Sequence, residues 1–92
     1  MIHFIVHGSQ DNVGVAVSDL VKGQQLSGWN METDQRLEAV ALQDVPLGHK
    51  IALKPIAAGE QVIKYNMPIG KASIPIAAGE HVHTHNLKSA RW

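Results

Sequence analysis

A chain of 92 residues with eight Lys and Arg against eight Asp and Glu has no cationic face for nucleic acid or an anionic membrane, so neither is expected as a partner. The lack of cysteine excludes disulfides, thiolate metal sites and a thiol nucleophile, and no run approaches the roughly 18–20 apolar residues of a spanning helix. Hydrophobic residues make up 45% of the chain, with one Phe, one Tyr and two Trp, so a single domain over residues 1–92 with a thin aliphatic core is expected. A globule this short buries only about 60–65% of its unfolded surface, and a partner would help it. The apolar start lacks a basic leader, and cytoplasm is the expected compartment.

In chain order, Ile2, Phe4 and Val6 alternate with His3, Ile5 and His7 and predict an opening strand. Val13, Val15 and Val17 predict a second. Asn30 to Glu38 is the most polar stretch and reads as an exposed loop or irregular hairpin, with a strand over Leu37 to Leu42. Val45-Pro46-Leu47-Gly48 reads as a turn. Residues 51–66 (IALKPIAAGEQVIKYN) and 71–86 (KASIPIAAGEHVHTHN) then repeat with a period of 20 and agree at nine of sixteen positions. A fainter third copy runs from Leu20 to Asn30. Each copy reads as strand, turn, strand, with Gly59 and Gly79 where the chain reverses. A helix starting at Pro55 or Pro75 competes with this reading, but the glycine limits it to one turn. The sum is an all-β chain of seven or eight short strands.

Chemistry concentrates in Glu80-His81-Val82-His83-Thr84-His85-Asn86. On a strand, His81, His83 and His85 would share one face at steps of about 6.6–6.8 Å, close enough for a pair to converge on a metal ion. The competing reading is a polar edge strand or a subunit contact. Copy one carries Gln61, Ile63 and Tyr65 at the same places, so the repeat does not need histidine to fold. Gly48-His49-Lys50 is the second candidate: a base or ligand beside a cation able to neutralise a carboxylate or sulfonate. Lys64-Tyr65 is weaker, with Tyr65 read as a core or rim aromatic. His3 and His7 read as structural, and Asn30, Asn66 and Asn86 as turn closers. No phosphate loop, dinucleotide fingerprint or nucleophile elbow occurs.

Gly48-His49-Lys50-Ile51-Ala52-Leu53, Ile56-Ala57-Ala58-Gly59-Glu60, Val62-Ile63-Lys64-Tyr65, Ile69-Gly70 and Gly79-Glu80-His81-Val82-His83-Thr84-His85-Asn86 together resemble the SAF-type (antifreeze-like, β-clip) domain of altronate and galactarate dehydratases. Asn66 stands where that family usually has glycine, a departure that asparagine tolerates at positive φ. The ends, His3-Phe4-Ile5-Val6-His7, Gly28-Trp29 and Asn86-Leu87-Lys88-Ser89-Ala90-Arg91-Trp92, resemble the small subunit of sulfolactate sulfo-lyases, so the likeness covers nearly the whole chain. It implies a lyase active only with a large dehydratase-like subunit. The substrate it implies is a small acid that loses its α-proton and a β group, either sulfite from sulfolactate or water from a sugar acid such as altronate. It also allows self-association of the isolated chain.

A divalent metal, iron, manganese or zinc, would stabilise the enediolate of so weak a carbon acid. The expected catalytic residues are His49, Lys50, His83 and His85, and the expected ligands His83, His85 and the more variable His81. The alternative class is a non-catalytic binding or assembly module of the same fold. A freestanding metal protein would need about four ligands from this chain alone.

Overall fold

The computed structural model describes residues 1–89, and among these every regular element is a strand. The nine strands are β1 (Phe4–Val6), β2 (Val13–Ala16), β3 (Gln25–Asn30), β4 (Gln35–Val40), β5 (Lys50–Ala52), β6 (Gln61–Lys64), β7 (Met67–Ala72), β8 (His81–Val82) and β9 (Leu87–Ser89). They form a six-stranded sheet in the order β4-β3-β1-β2-β5-β8 and a three-stranded sheet in the order β6-β7-β9. Only β1 and β3 run parallel; the other pairs are antiparallel. This is the expected all-β fold of short strands, with one strand more than the sequence suggested.

One local device, used four times, explains the compactness. Its sequence form is Ala, then an apolar residue four further on, then Gly three further on, then one polar residue. It occurs at Ala16-Leu20-Gly23-Gln24, Ala41-Val45-Gly48-His49, Ala52-Ile56-Gly59-Glu60 and Ala72-Ile76-Gly79-Glu80. The glycines hold φ between 84° and 88°, a conformation that costs other residues but not glycine. The units interlock in pairs. Leu20 and Val45 exchange two backbone hydrogen bonds (2.8 and 2.9 Å), and Ile56 and Ile76 do the same (both 2.8 Å). Each glycine N–H donates to the alanine carbonyl of its paired unit, from Gly23 to Ala41, Gly48 to Ala16, Gly59 to Ala72 and Gly79 to Ala52, at 2.7–2.9 Å. The alanine N–H returns a bond to the residue after that glycine, at 2.9–3.0 Å. The expected likeness of the two strong copies therefore holds through their turns, and the faint third copy is real at its turn.

Each pair of units anchors its own core. Leu20 and Val45 pack with Phe4, Val6, Ala16, Leu26, Ala41 and Ile51. Ile56 and Ile76 pack with Val13, Ala52, Val62, Ala72 and Val82. Burying each large side chain is worth about 1.5–3 kcal/mol, so two small clusters replace one thick core. Phe4, the one phenylalanine, lies flat on Gly28: a Cβ there would sit 2.1 Å from its ring. Asn12 ties the sheets together, its amide donating to the Gln61 carbonyl (2.9 Å) and accepting from Ile63 N (2.7 Å) beside the bulge at Val62/Ile63.

Two expectations need correction. Asn30 to Glu38, expected as an exposed loop or irregular hairpin, is a hairpin and a regular one: β3 and β4 pair over six residues, and Asn30 Oδ1 closes the turn by accepting from Glu32 N and Thr33 N. The second strand ends at Ala16, and Val17 is exposed where the chain leaves the sheet. The strand-turn-strand reading of the repeat holds over the competing helix at Pro55 or Pro75, because the interlocked bridges at Ile56 and Ile76 claim the backbone. Among the described residues no helix is long and apolar enough to cross a membrane.

Candidate functional site

The four units differ at their last position, and the site grows from that difference. Gln24, Glu60 and Glu80 each fold back to accept a hydrogen bond from the backbone N–H of their own turn, from Val21, Ala57 and Ala77 at 3.0 Å. In the fourth unit the corresponding residue is Pro46, which has no N–H to satisfy. His49 occupies the acceptor position there and is released from the turn, while its backbone keeps the common bond to the Pro46 carbonyl (2.9 Å).

β5 then carries the chain antiparallel to β8, with Lys50 opposite Val82 and Ile51 opposite His81. Continuing that register brings His49 opposite His83, and their rings stack with centroids 4.2 Å apart. His49 Nδ1 lies 2.8 Å from His81 Nε2.

The three histidines of the HxHxH run do not share one strand face as expected. β8 stops after Val82 because Asn86, fully buried, takes over the backbone groups a longer strand would use. Its Oδ1 accepts from His83 N (2.9 Å) and its Nδ2 donates to the His81 carbonyl (2.8 Å), while Leu87 N returns to the His83 carbonyl (2.9 Å). His83 to Asn86 is thus a tight loop. Asn86 closes a turn, as expected of it, and so removes the in-register row.

The rings brought together are His49, His81 and His83, all half-buried, with one nitrogen of each within 4.8 Å of the others. Donors bound to one ion at about 2.0–2.2 Å stand about 3.0–3.5 Å apart, so small rotations would close this set on a divalent cation. His85 is exposed and tilts against His81 at 5.2 Å, a flanking position rather than a third vertex. Burial, then the nearby His49, His85 and His83, lowers the His81 pKa; burial, then His49, Lys50 and His85, lowers that of His83. Both rings are biased towards the neutral form that ligates metal.

His83 also forms part of a groove of about 670 Å³ between the two sheets. Lys50, from β5, and Lys64, from the end of β6, line it with Ser73, Thr84, Ile69, Leu87, Lys88 and Ser89. Among the described residues no carboxylate lines it. Burial lowers the Lys50 pKa, and the charge of Lys64 lowers it further. Of the residues singled out from the sequence, His49, Lys50, His81 and His83 converge, and His85 stands at their edge. Lys64, the weaker candidate from the sequence, also lines this groove, a position that a lysine at a strand end does not signal. Tyr65 is 59% exposed, a rim aromatic stacked on His7 at 4.0 Å. His3 accepts a hydrogen bond from Ser27 N and is structural.

Similarity to known proteins agrees with this architecture. The chain is 46% identical over 92 residues to the (2R)-sulfolactate sulfo-lyase subunit alpha of Chromohalobacter salexigens, covering 99% of this chain and 98% of that one. It is 53% identical over 60 residues to the subunit of the same name from Paracoccus pantotrophus, covering 65% of this chain and 87% of that one. It is also 49% identical over 79 residues to the altronate dehydratase of Escherichia coli, covering 86% of this chain but only 15% of that protein. These relatives are lyases by name. The family model for the altronate/galactarate dehydratase SAF domain matches residues 2–90, and with a match over nearly its whole length this chain belongs to that family.

Proposed function

We propose that this chain, acting as one domain, is the small subunit of a two-component lyase that eliminates a β substituent from a 2-hydroxy acid. The observation that carries the reading is the meeting of His49, His81 and His83, from two different turns, beside a cationic groove that no carboxylate lines among the described residues. A scaffold needs no such convergence. An anionic substrate does.

His49, His81 and His83 would hold the divalent ion, with iron(II), manganese(II) and zinc all suited to imidazole. Bound there, such an ion would supply Lewis-acid stabilisation of the negative charge that develops on the substrate carboxylate as the α-proton leaves. The chain's own residues do the rest that lies within their reach. Lys50 draws the substrate's acidic group into the groove. His85, exposed beside His81, would take the α-proton. The electron pair of that C–H bond forms the new double bond, and the bond to the β substituent breaks with its pair on the leaving group. Sulfite leaves from sulfolactate, or hydroxide, protonated to water, from a sugar acid. The enol then tautomerises to the 2-oxo acid.

The chain needs a large partner to finish this site. Three imidazole ligands would leave metal positions open, and among the described residues no carboxylate lines the groove to complete them. The altronate dehydratase relative, of which this chain spans about 15%, supports a catalytic body lying elsewhere. The test compares the chain alone, the candidate large subunit alone and their mixture, on (2R)-sulfolactate and on altronate. Sulfite or 2-oxo acid released by the mixture only is the expected result. Equal activity of the large subunit by itself would reduce this chain to an assembly module.

A further inference from the structure

We propose that Lys50 and Lys64, one from each sheet, form a two-cation clamp for an oxyanion group of the substrate, with Tyr65 as the residue that positions Lys64. This rests on the lyase reading above for the identity of the substrate, but the clamp itself stands on the groove.

The groove joins His83 and Lys50 on the six-stranded sheet to Lys64, Leu87, Lys88 and Ser89 on the three-stranded sheet, with Ser73 and Thr84 adding hydroxyls. Lys50 and Lys64 line the same groove from opposite sheets with no carboxylate among its described lining residues, so their like charges oppose one another until an anion enters. A carboxylate or a sulfonate, each with oxygens enough for both cations, fits that vacancy of charge.

The turn that carries Lys64 is built to hold it. β6 and β7 are joined by the two-residue turn Tyr65-Asn66, with φ of 55° and 60°. Asparagine accepts that conformation; tyrosine does so only at a cost. The buried carboxylate of Asp11 stabilises the strained turn, accepting from Tyr65 N (3.0 Å), Asn66 N (2.8 Å) and Gly8 N (2.9 Å). Glycine at position 65 would relieve the strain. What tyrosine adds is its ring, stacked on His7 at 4.0 Å on one side and set under the Lys64 ammonium, 5.5 Å from the ring centroid, as a cation–π contact. A costly backbone conformation is therefore spent on aiming one lysine.

The test uses the reconstituted complex with Lys64→Met, Lys64→Arg, Tyr65→Gly and Tyr65→Phe. Lys71→Met serves as the control, since that exposed lysine lies on β7 outside the groove lining. Lys64→Met should cost about 10- to 100-fold in kcat/KM, the loss of one charge-assisted contact. Lys64→Arg should recover most of it. Tyr65→Gly should stay folded yet lose about 3- to 10-fold, with Tyr65→Phe close to wild type. The split of the Lys64→Met effect tells which oxyanion is held. A rise in KM alone assigns the unreacting carboxylate, whereas a fall in kcat assigns a departing sulfonate whose negative charge grows as the C–S bond breaks.

The clamp is also read without turnover, by titrating the chain with sodium methanesulfonate and with sodium lactate and following the resonances of Lys50 and Lys64. Saturable shifts that Lys64→Met abolishes and Lys71→Met leaves intact are expected. They would uphold the clamp even if the complex proved inactive on both acids, which would sink the lyase reading alone. Lys64→Met and Lys71→Met behaving alike in both assays would overturn the clamp.

Discussion

Replacing Asn86 with Ala tests how the site is held. Asn86 is 1% exposed, and its amide satisfies two backbone groups, His83 N at 2.9 Å and the His81 carbonyl at 2.8 Å. Among the described residues no buried side-chain polar atom lacks a partner, so nothing nearby stands ready to replace it. Stranding one buried backbone donor or acceptor costs about 1–3 kcal/mol. With partial relaxation and some entry of water, the two together should cost about 2–4 kcal/mol. At roughly 4–8 °C per kcal/mol for a domain of this size, the melting temperature should fall by about 10–25 °C. Thermal unfolding followed by circular dichroism measures it. His83→Ala and His85→Ala, which remove ring atoms only, should each stay within about 0.5 kcal/mol of wild type. An Asn86→Ala variant melting with wild type would refute the claim that this side chain cuts β8 short and shapes the histidine loop.

The other expectations follow from the four turns and the core. Glu60→Ala and Glu80→Ala each remove a bond to a turn N–H and should cost about 0.5–1 kcal/mol in urea unfolding, whereas His49→Ala, facing Pro46, should cost less than either. Gly28→Ala should destabilise by about 1–3 kcal/mol through collision with the Phe4 ring, and Phe4→Leu in the same chain should recover part of that loss, as measured by thermal melts. Incubating the complex with a chelator should abolish turnover, and manganese, iron(II) or zinc should restore it; undiminished activity after verified metal removal would contradict the metal assignment.

The sequence carried the architecture further than the chemistry. Two copies of the clip were visible because they share residues, as in Ile56-Ala57-Ala58-Gly59-Glu60 against Ile76-Ala77-Ala78-Gly79-Glu80. The turn at Val45 was visible only as a turn, because it shares spacing with the others and almost no residue identity. What recurs is the backbone demand: a small residue whose carbonyl can be approached, an apolar bridge, and a glycine at positive φ. The histidine run misled in an informative way. Alternation at period two is the mark of a strand, yet a buried asparagine can supply the same hydrogen bonds from its side chain and end the strand. That substitution of side chain for backbone is invisible to periodicity, and it exchanged His85 for His49 in the cluster. His49 itself was legible as a residue beside a turn; the reason its ring is free lies in Pro46 and appears only when the four turns are compared.

The central claim is that this chain lends its histidine cluster to an active site completed by a larger subunit. The most direct test is the double variant His49→Ala with His83→Ala, purified in complex with the large subunit and assayed for sulfite or 2-oxo acid release. The expected result is a complex that assembles and melts close to wild type but turns over at least about 100-fold more slowly. A stoichiometric double-variant complex with full activity would contradict it.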